Sequence, residues 1–277
     1  MGFSQNQANS GSPFVQLPQH IPPRPSDPHS AIEVVVFNNT RYVVKYKRTE
    51  AGRRWREWLS ALACLVLFGV FAWPHKLRSG QLHDEAKRLR ALKAQGVCVP
   101  EVFLETDNFM VMSYTGTDIN RLLYTNALSA EQRPAMFKRL VEDLAHFHQA
   151  GHWHGGAQAR NITCLNQQLW RIDFEENIGN AVPLSVAQAY DLILLFTSLS
   201  DYFLDDPKLA QQLLLHYLNC HNNPALKHRL NQACKWLERA AKLEPLLSKR
   251  LRKKSDLRRM KLFVQVLRHG LNHQAQT

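Results

Sequence analysis

The amino-acid sequence predicts an α+β protein with two lobes, a small β-rich lobe followed by a mainly helical lobe. Two observations support this prediction. Runs of β-branched and aromatic residues are concentrated in residues 33–46 and 101–112, where they favour short strands. From residue 129 onward, apolar residues instead recur at the spacing of amphipathic helices. The strands of the small lobe therefore come first along the chain and most of the helices come second.

Two hairpins are predicted in the small lobe. Residues 33–37 and 41–46 are rich in valine and aromatic residues, and Asn38-Asn39-Thr40 between them is typical of a turn. Residues 101–105 and 109–112 repeat the pattern around a second polar turn. These four segments predict one small antiparallel sheet.

One helix is predicted between the two hairpins. Apolar residues recur at helical spacing over residues 82–94, and Gly96 is a residue type that commonly ends a helix. The apolar face consists of Leu82, Ala86, Leu89 and Leu92.

The large lobe is predicted to begin with a long helix. Ser129 and the glutamine three residues later are spaced as in a capping box, and the apolar pattern continues to Gly151. A short hairpin follows at residues 162–165 and 169–172. After Pro183 the chain is predicted to be mostly helical.

The patterns divide the chain into three parts. Residues 1–30 are rich in Gln, Ser, Asn and Pro and are predicted to form a disordered arm. Residues 31–115 are predicted to form the small lobe, with an apolar insertion at residues 57–74. Residues 116–277 are predicted to form the helical lobe, which ends in basic helices.

Charge and cysteine content restrict the class of partner. The 277-residue chain has a formal net charge of +12, which favours phosphate-bearing partners or else a solvated basic surface. The five cysteines are scattered and include no CxxC pair. This argues against a disulfide framework or a zinc site and fits a reducing compartment. Because the N-terminal residues show no signal-peptide pattern, we expect a cytoplasmic protein.

Five short segments follow one another in an informative order. Read singly, each has an ordinary structural explanation, such as a surface lysine on a strand or a carboxylate in the first turn of a helix. The segments are Lys45 after Val43-Val44, Glu85 early in the predicted helix, Met110–Gly116 at a strand end, the loop His154–Asn161, and Ile172-Asp173-Phe174-Glu175.

In this order the segments resemble the protein-kinase-like superfamily, over roughly residues 33–200. The resemblance is closest to the atypical bacterial branch that includes lipopolysaccharide-core sugar kinases and the small kinase of the KEOPS tRNA-modification complex. It implies a two-lobed kinase-like fold that binds ATP and Mg²⁺ between the lobes.

The resemblance implies nucleotide-binding roles in the small lobe. Lys45 would hold the α- and β-phosphates and pair with Glu85. Lys47 is the alternative lysine on the same face of the strand. Met112 and Tyr114 lie in the segment similar to a kinase hinge, whose backbone hydrogen-bonds the adenine.

The resemblance also implies catalytic and metal-binding roles in the large lobe. Asn161 and Asp173 would bind Mg²⁺ through oxygen atoms, the ligands that this ion prefers. His154 and Gln158 are further candidate catalytic residues of the same loop. Asp191 resembles the helix aspartate that braces this loop, or else it is a carboxylate at a helix start.

One position departs from the kinase pattern. Kinase catalytic loops carry an aspartate five residues before the metal-binding asparagine, where it accepts the proton of the attacking hydroxyl. Here that position is Gly156, which has no side chain. Glu175 and Glu176 flank the metal site and are alternative proton acceptors, and His154 is nearby but resembles the structural histidine of kinase loops. A glycine-rich GxGxxG loop is also missing before Lys45.

Residues 58–73 form an apolar run in which Ser60 has the only polar side chain. As a helix the run would be about 24 Å long, at about 1.5 Å per residue, whereas the hydrocarbon core of a bilayer is about 30 Å thick. A membrane span would also separate Lys45 from Glu85. We therefore predict an interfacial or re-entrant helix, or else a buried insertion in the small lobe.

A second candidate membrane contact is the stretch 249–261, which contains eight Lys or Arg residues and one Asp. On a helix this composition gives a strongly cationic face that suits anionic lipid or RNA. Because aromatic residues for base stacking are not interleaved with the cations, lipid or plain solvation is favoured over nucleic acid.

These observations predict an ATP-dependent phosphotransferase at the inner face of a membrane. The first candidate acceptor is a membrane-associated sugar or lipopolysaccharide, and the second is a protein serine or threonine. The glycine at position 156 instead favours a pseudokinase that binds nucleotide without efficient transfer. A third hypothesis is a tRNA-linked kinase-like ATPase, which the basic charge and the KEOPS resemblance motivate.

Overall fold

A small antiparallel sheet precedes a mainly helical large lobe, so the predicted α+β two-lobed fold is confirmed. The computed structural model describes residues 31–47, 54–77, 81–242 and 254–276, together with Ile21. The arm predicted over residues 1–30 lies outside the described residues apart from Ile21. The same holds for the first five residues of the basic stretch 249–261.

The small lobe is built on a four-stranded sheet in the order β1-β2-β4-β3, with every neighbouring pair antiparallel. Asn38 and Asn39 connect the first two strands with φ angles of +48° and +60°. A two-residue hairpin turn of this kind favours asparagine, which tolerates the left-handed region. The strands are β1 (Ile32–Phe37), β2 (Thr40–Tyr46), β3 (Val102–Glu105) and β4 (Phe109–Ser113).

Two helices precede β3 in the chain, α1 (Arg54–Phe68) and α2 (Leu82–Ala94). Helix α2 has the bounds that the apolar spacing predicts. Its buried residue Leu89 shares a core with Met110 of β4 and with Phe174 of the large lobe. The packing fixes α2 between the sheet and the large lobe.

A three-stranded sheet opens the large lobe, in the order β5-β6-β7, and the rest of the lobe is mainly helical. The strands are β5 (Thr117–Asp118), β6 (Ile162–Leu165) and β7 (Gln168–Arg171). The helices are α3 (Ile119–Tyr124), α4 (Arg133–Gln149), α5 (Ile178–Ala181), α6 (Leu184–Ser198), α7 (Ser200–Asp205), α8 (Pro207–Cys220), α9 (Pro224–Lys242) and α10 (Lys254–Gln276).

Helix α4 begins at Arg133, three residues later than a cap at Ser129 predicts. The side-chain oxygen of Gln132 accepts a hydrogen bond from the backbone N–H of Ser129 at 2.9 Å, which closes a turn before the helix. Pro134 occupies the first helical turn, where its missing N–H costs no intrahelical bond. The capping contact is therefore present, but it precedes the helix.

Helix α1 packs against α9 in the large lobe and not in the core of the small lobe. Ala61, Cys64 and Phe68 are buried in the large-lobe core. The guanidinium of Arg229 donates to the carbonyl oxygen of Phe68 at 3.3 Å and covers the C-terminal end of α1. The alternative of a buried insertion in the small lobe is therefore wrong. Among the described residues, no helix combines the length and hydropathy needed to cross a membrane.

Candidate active site

Lys45 lies at the centre of the candidate site, where the small lobe meets the large lobe. Its side chain is 3% exposed, and its ammonium donates to the carboxylate oxygens of Glu85 at 2.7 and 3.0 Å. The same ammonium contacts Oδ1 of Asp173 at 2.6 Å and Oε1 of Glu175 at 2.8 Å. The structure thus brings Lys45, Glu85 and Asp173 together, whereas the alternative Lys47 is exposed.

The charges of this cluster are unequal, with three carboxylates around one ammonium. Burial alone would lower the pKa of Lys45, but the carboxylates of Glu85, Asp173 and Glu175 raise it above its ordinary value. Burial raises the pKa of Glu85, Lys45 opposes the rise, and the neighbouring carboxylates add to it. The ammonium therefore stays charged, and the net charge of the cluster is negative.

Asp173 follows β7 in a backbone conformation that is uncommon for a residue with a side chain. Its φ angle is +65°, a conformation that costs about 1–3 kcal/mol and persists mainly at functional sites. The next residue, Phe174, is buried, and its N–H donates to Oε1 of Glu85 at 3.2 Å. The turn thereby directs the Asp173 carboxylate to Lys45 and the Phe174 ring into the core.

His154 is held inside the loop between α4 and β6. Its Nδ1 accepts from the N–H of Gly156 at 3.1 Å, so Nε2 donates to the carbonyl oxygen of Ile172 at 3.0 Å. The ring stacks on Phe174 with centroids 4.3 Å apart. Burial lowers the pKa of His154 to about 3. With both nitrogens bonded to backbone groups and the ring neutral, His154 is placed to shape the loop, and neither nitrogen is available to accept a proton in this arrangement.

Asp191 braces this loop from the interior of α6. Its two carboxylate oxygens accept the backbone N–H groups of His154 at 2.6 Å and Gly155 at 2.7 Å. Burial acts to raise the pKa of Asp191, but contacts with His148 and His154 lower it overall, so the carboxylate remains ionised. The residue lies mid-helix, which argues against the alternative of a carboxylate at a helix start.

Asn161 lies beside the strand end that leads into Asp173, because its carbonyl oxygen accepts the N–H of Ile172 at 3.0 Å. Its side-chain Nδ2 donates to the carbonyl oxygen of Gly156 at 2.8 Å. Gln158 contributes backbone contacts, donating to Gly156 at 2.7 Å and accepting from Asn161 at 2.8 Å. These bonds leave the side-chain oxygen of Asn161 as its ligand atom for a metal.

The two predicted hinge residues lie in different surroundings. Met112 is inside β4, paired with Val43 of β2, and its side chain is buried in the core of the small lobe. The ladder ends at Ser113, and Tyr114 follows it, with the guanidinium of Arg41 5.5 Å from its ring centroid. Tyr114 is therefore the predicted hinge residue that lies beyond the strand.

Arg88 is a residue that the sequence analysis missed. From α2 it donates to the carbonyl oxygens of Trp153 at 2.5 Å and Glu176 at 3.0 Å, and its guanidinium lies 3.6 Å from the Trp153 ring centroid. Burial lowers the pKa of Arg88 to about 10. It ties the helix that carries Glu85 to the loop and to the segment after Asp173. Its spacing of three residues from Glu85, on one helix face, is the signal that could have identified it.

The arrangement of Lys45, Glu85, the braced loop and Asp173 is that of a kinase-like cleft. A family model described as the phosphotransferase enzyme family, APH, matches residues 33–251. The chain belongs to the APH phosphotransferase family. No curated protein matches the sequence.

Membership of the APH family confirms the protein-kinase-like superfamily that the sequence predicts. The family implies a kinase-like phosphotransferase activity. Family members generally use ATP and Mg²⁺, so the residues of this cleft can be tested against both groups.

The donor set of the cleft fits Mg²⁺. Glu85, Asp173 and Glu175 place carboxylate oxygens within 4.8 Å of one another, and carboxylate and amide oxygens are the ligands that Mg²⁺ prefers. Glu85 is held by Lys45 and by the N–H of Phe174, whereas the Asp173 side chain is 37% exposed. Of the three carboxylates, that of Asp173 is therefore the best placed to hold the ion, and the amide oxygen of Asn161 is a further candidate ligand.

Proposed function

We propose that this APH family member binds ATP with Mg²⁺ between its lobes and transfers the γ-phosphoryl group to a hydroxyl acceptor. The observation that supports this proposal is the contact of Lys45 with Glu85 and Asp173, which joins the small lobe to the large lobe at one point. In phosphotransferases of this kind, catalysis comes mostly from positioning and from stabilising charge on the phosphates.

Lys45 would hold the α- and β-phosphates while Glu85 keeps its ammonium in place. Because Lys45 also contacts Asp173 and Glu175, a phosphate has to replace one of these carboxylates at the ammonium. The Asp173 carboxylate is then available to the metal, together with the amide oxygen of Asn161. The ion would neutralise the phosphates and orient the γ-phosphoryl group for attack.

The proton of the attacking hydroxyl has no aspartate to receive it, because position 156 is glycine. His154 is neutral and has both nitrogens occupied. Glu175 holds Lys45, which leaves it as a base only when a phosphate displaces it. A general base is worth about 10²–10⁴-fold in rate, so we expect transfer that is slow by the standard of kinases.

The proposed acceptor is a hydroxyl of a membrane-associated sugar or lipopolysaccharide, with a protein serine or threonine second. The resemblance to lipopolysaccharide-core sugar kinases motivates the first choice, and it is an analogy. The exposed apolar side chains of α1 support an acceptor at a membrane surface.

A nucleotide-binding pseudokinase is the second candidate, and Gly156 favours it. In this case the cleft binds ATP with Mg²⁺ and the loop serves only to hold the lobes together. The two candidates share every contact described above and differ in whether the γ-phosphate leaves ATP.

The deciding experiment follows γ-labelled ATP with the purified chain, alone and with candidate acceptors, beside Asp173→Ala. Release or transfer of label that Asp173→Ala abolishes supports the phosphotransferase. A rise in Tm with ATP and Mg²⁺ without any label transfer supports the pseudokinase. Neither a Tm shift nor transfer would reject both candidates.

A further inference from the structure

The outer side of α1 carries a cluster of exposed apolar side chains. Of the thirteen large apolar side chains exposed on the described surface, seven lie between residues 58 and 73. A soluble monomer seldom leaves such a contiguous patch uncovered unless it is an interaction site. The α1 patch consists of Trp58, Leu59, Leu62, Leu65 and Val66 on the helix, followed by Phe71 and Trp73.

The patch is a coherent face and not a set of scattered residues. The five helical members follow the spacing that keeps residues on one side of a helix. Ala61, Cys64 and Phe68 occupy the other side and are buried against the large lobe. From Trp58 onward, helix α1 is thus largely apolar on both sides, and the large lobe covers only one of them.

We propose that the α1 patch docks onto an anionic lipid bilayer, with α1 lying in the plane of the interface. Exposed indoles mark the two ends of the patch, Trp58 with 64% and Trp73 with 57% of the residue exposed, and indoles favour the interfacial region of a membrane. An amphipathic or apolar helix that is too short to span a membrane can bury one face in the headgroup boundary.

The charges around the patch select the lipid. No Asp or Glu occurs between residues 58 and 83, and His75 and Lys76 are exposed directly after Trp73. Helix α9, against which α1 packs, adds exposed Lys235 and Arg239. An apolar face with exposed cations at its C-terminal end and on the neighbouring helix complements a bilayer with anionic headgroups, where each Lys or Arg near the surface adds to binding.

The same charges argue against a second copy of the chain as the partner that covers the α1 patch. A two-fold interface places identical surfaces against each other. Such an interface would bring together two copies of a segment that has no acidic residue between 58 and 83 to offset its cations. A bilayer covers the patch without this repulsion.

Docking at this place would bring the bilayer close to the catalytic segment. The turn Pro74–Lys76 contacts α5, which begins five residues after Asp173. Ala72 and Leu77 share the large-lobe core with Ile178 of α5. Resting on the proposed function, this neighbourhood implies an acceptor hydroxyl that is presented at the membrane surface.

The test is co-sedimentation of the full chain with vesicles of phosphatidylcholine alone or mixed with phosphatidylglycerol. We expect binding that is at least tenfold stronger to the anionic vesicles. Val66→Glu places a charge in the patch and should weaken binding to the anionic vesicles at least tenfold. Val36→Glu is the matched control, because Val36 on β1 is 67% exposed and lies outside the patch, and it should bind as the wild type does.

Both variants should keep the wild-type circular dichroism spectrum and the Tm shift with ATP and Mg²⁺. Loss of that shift with vesicle binding intact would count against the proposed function and not against docking. The docking proposal is overturned if the wild type binds neither kind of vesicle, or if Val66→Glu binds the anionic vesicles as tightly as Val36→Glu does. It is also overturned if the wild type sediments as a dimer that Val66→Glu dissociates while neither binds lipid.

Discussion

Restoring a carboxylate at position 156 is expected to turn a slow phosphotransferase, or an inactive one, into an active one. Gly156→Asp returns the residue type that accepts the hydroxyl proton in kinase loops. Gly156 does not adopt a positive φ, so its backbone tolerates a side chain. A Cβ added there would lie 3.2 Å from Nδ2 of Asn161 and 3.7 Å from Nδ1 of His154.

These distances indicate how much stability the Gly156→Asp substitution should cost, and this cost can be compared with the expected gain in rate. The 3.2 Å contact requires the Asn161 amide to shift by a few tenths of an ångström, and we expect a stability loss of about 1 kcal/mol from this crowding. The gain is general base catalysis beside the amide that is proposed to bind the metal, worth about 10²–10⁴-fold in rate. That gain corresponds to about 3–5 kcal/mol of barrier, so the chemistry should outweigh the strain.

The assay measures transfer or release of the γ-phosphate from labelled ATP at saturating Mg²⁺ for a matched series. Gly156→Ala introduces the same Cβ without a carboxylate, and Gly156→Asn introduces the same shape without a base. The rate should rise only for Gly156→Asp, and it should fall again below the pKa of the new carboxylate. Equal rates for the aspartate and asparagine variants, with ATP still bound, would refute a missing base as the cause of slow transfer.

Four further outcomes follow from the same contacts. Lys45→Met leaves the buried Glu85 without its cation, so the free energy of unfolding, measured in urea at pH 7, should fall by about 3–5 kcal/mol. The double variant Lys45→Met/Glu85→Leu should regain part of the lost stability. ATP should raise the Tm more in the presence of Mg²⁺ than in the presence of EDTA, because the three carboxylates repel phosphates that no metal neutralises. Asp173→Asn should reduce this difference between the two Tm shifts. Because the pKa of His154 is about 3 when folded and about 6.5 when unfolded, its stabilising contribution is complete above pH 6.5. That contribution is lost as the pH falls toward 3, by at most about 1.4 kcal/mol per pH unit, a slope that His154→Gln should reduce in urea titrations. Arg88→Lys should lower the transfer rate more than the affinity for ATP, measured by label transfer and by Tm shift, because it loosens α2 against Trp153 and Glu176.

Most of the fold was predictable because local patterns decide it. The spacing of Leu82, Ala86, Leu89 and Leu92 gives α2 its observed bounds, and the Asn38-Asn39 turn gives the first hairpin. The position of α1 was not predictable, because an apolar helix gives no signal of which lobe it packs against. That choice depends on contacts with α9, which lies more than 150 residues further along the chain.

The candidate site was predictable to the extent that its residues lie in short recognisable segments. Lys45, Glu85 and Asp173 meet as the resemblance implies. The bracing contacts were harder to predict. The spacing of Arg88 from Glu85 places both on one helix face, but the backbone carbonyl groups that Arg88 binds leave no pattern in a sequence. The resemblance suggested that His154 is the structural histidine of the loop, but the sequence alone does not show that both of its ring nitrogens bind the backbone.

The loop also explains how a glycine can replace the aspartate without loss of the fold. Every bond that shapes the loop around position 156 is made by the backbone of Gly156 or by other residues: Asp191 holds the two preceding N–H groups. His154 and Asn161 bind the N–H and the carbonyl group of Gly156. A side chain at this position would serve the proton transfer and none of these contacts. In the proposed mechanism, nucleotide binding and proton transfer therefore depend on different groups of this cleft, and a change at position 156 is expected to alter proton transfer while leaving these contacts in place.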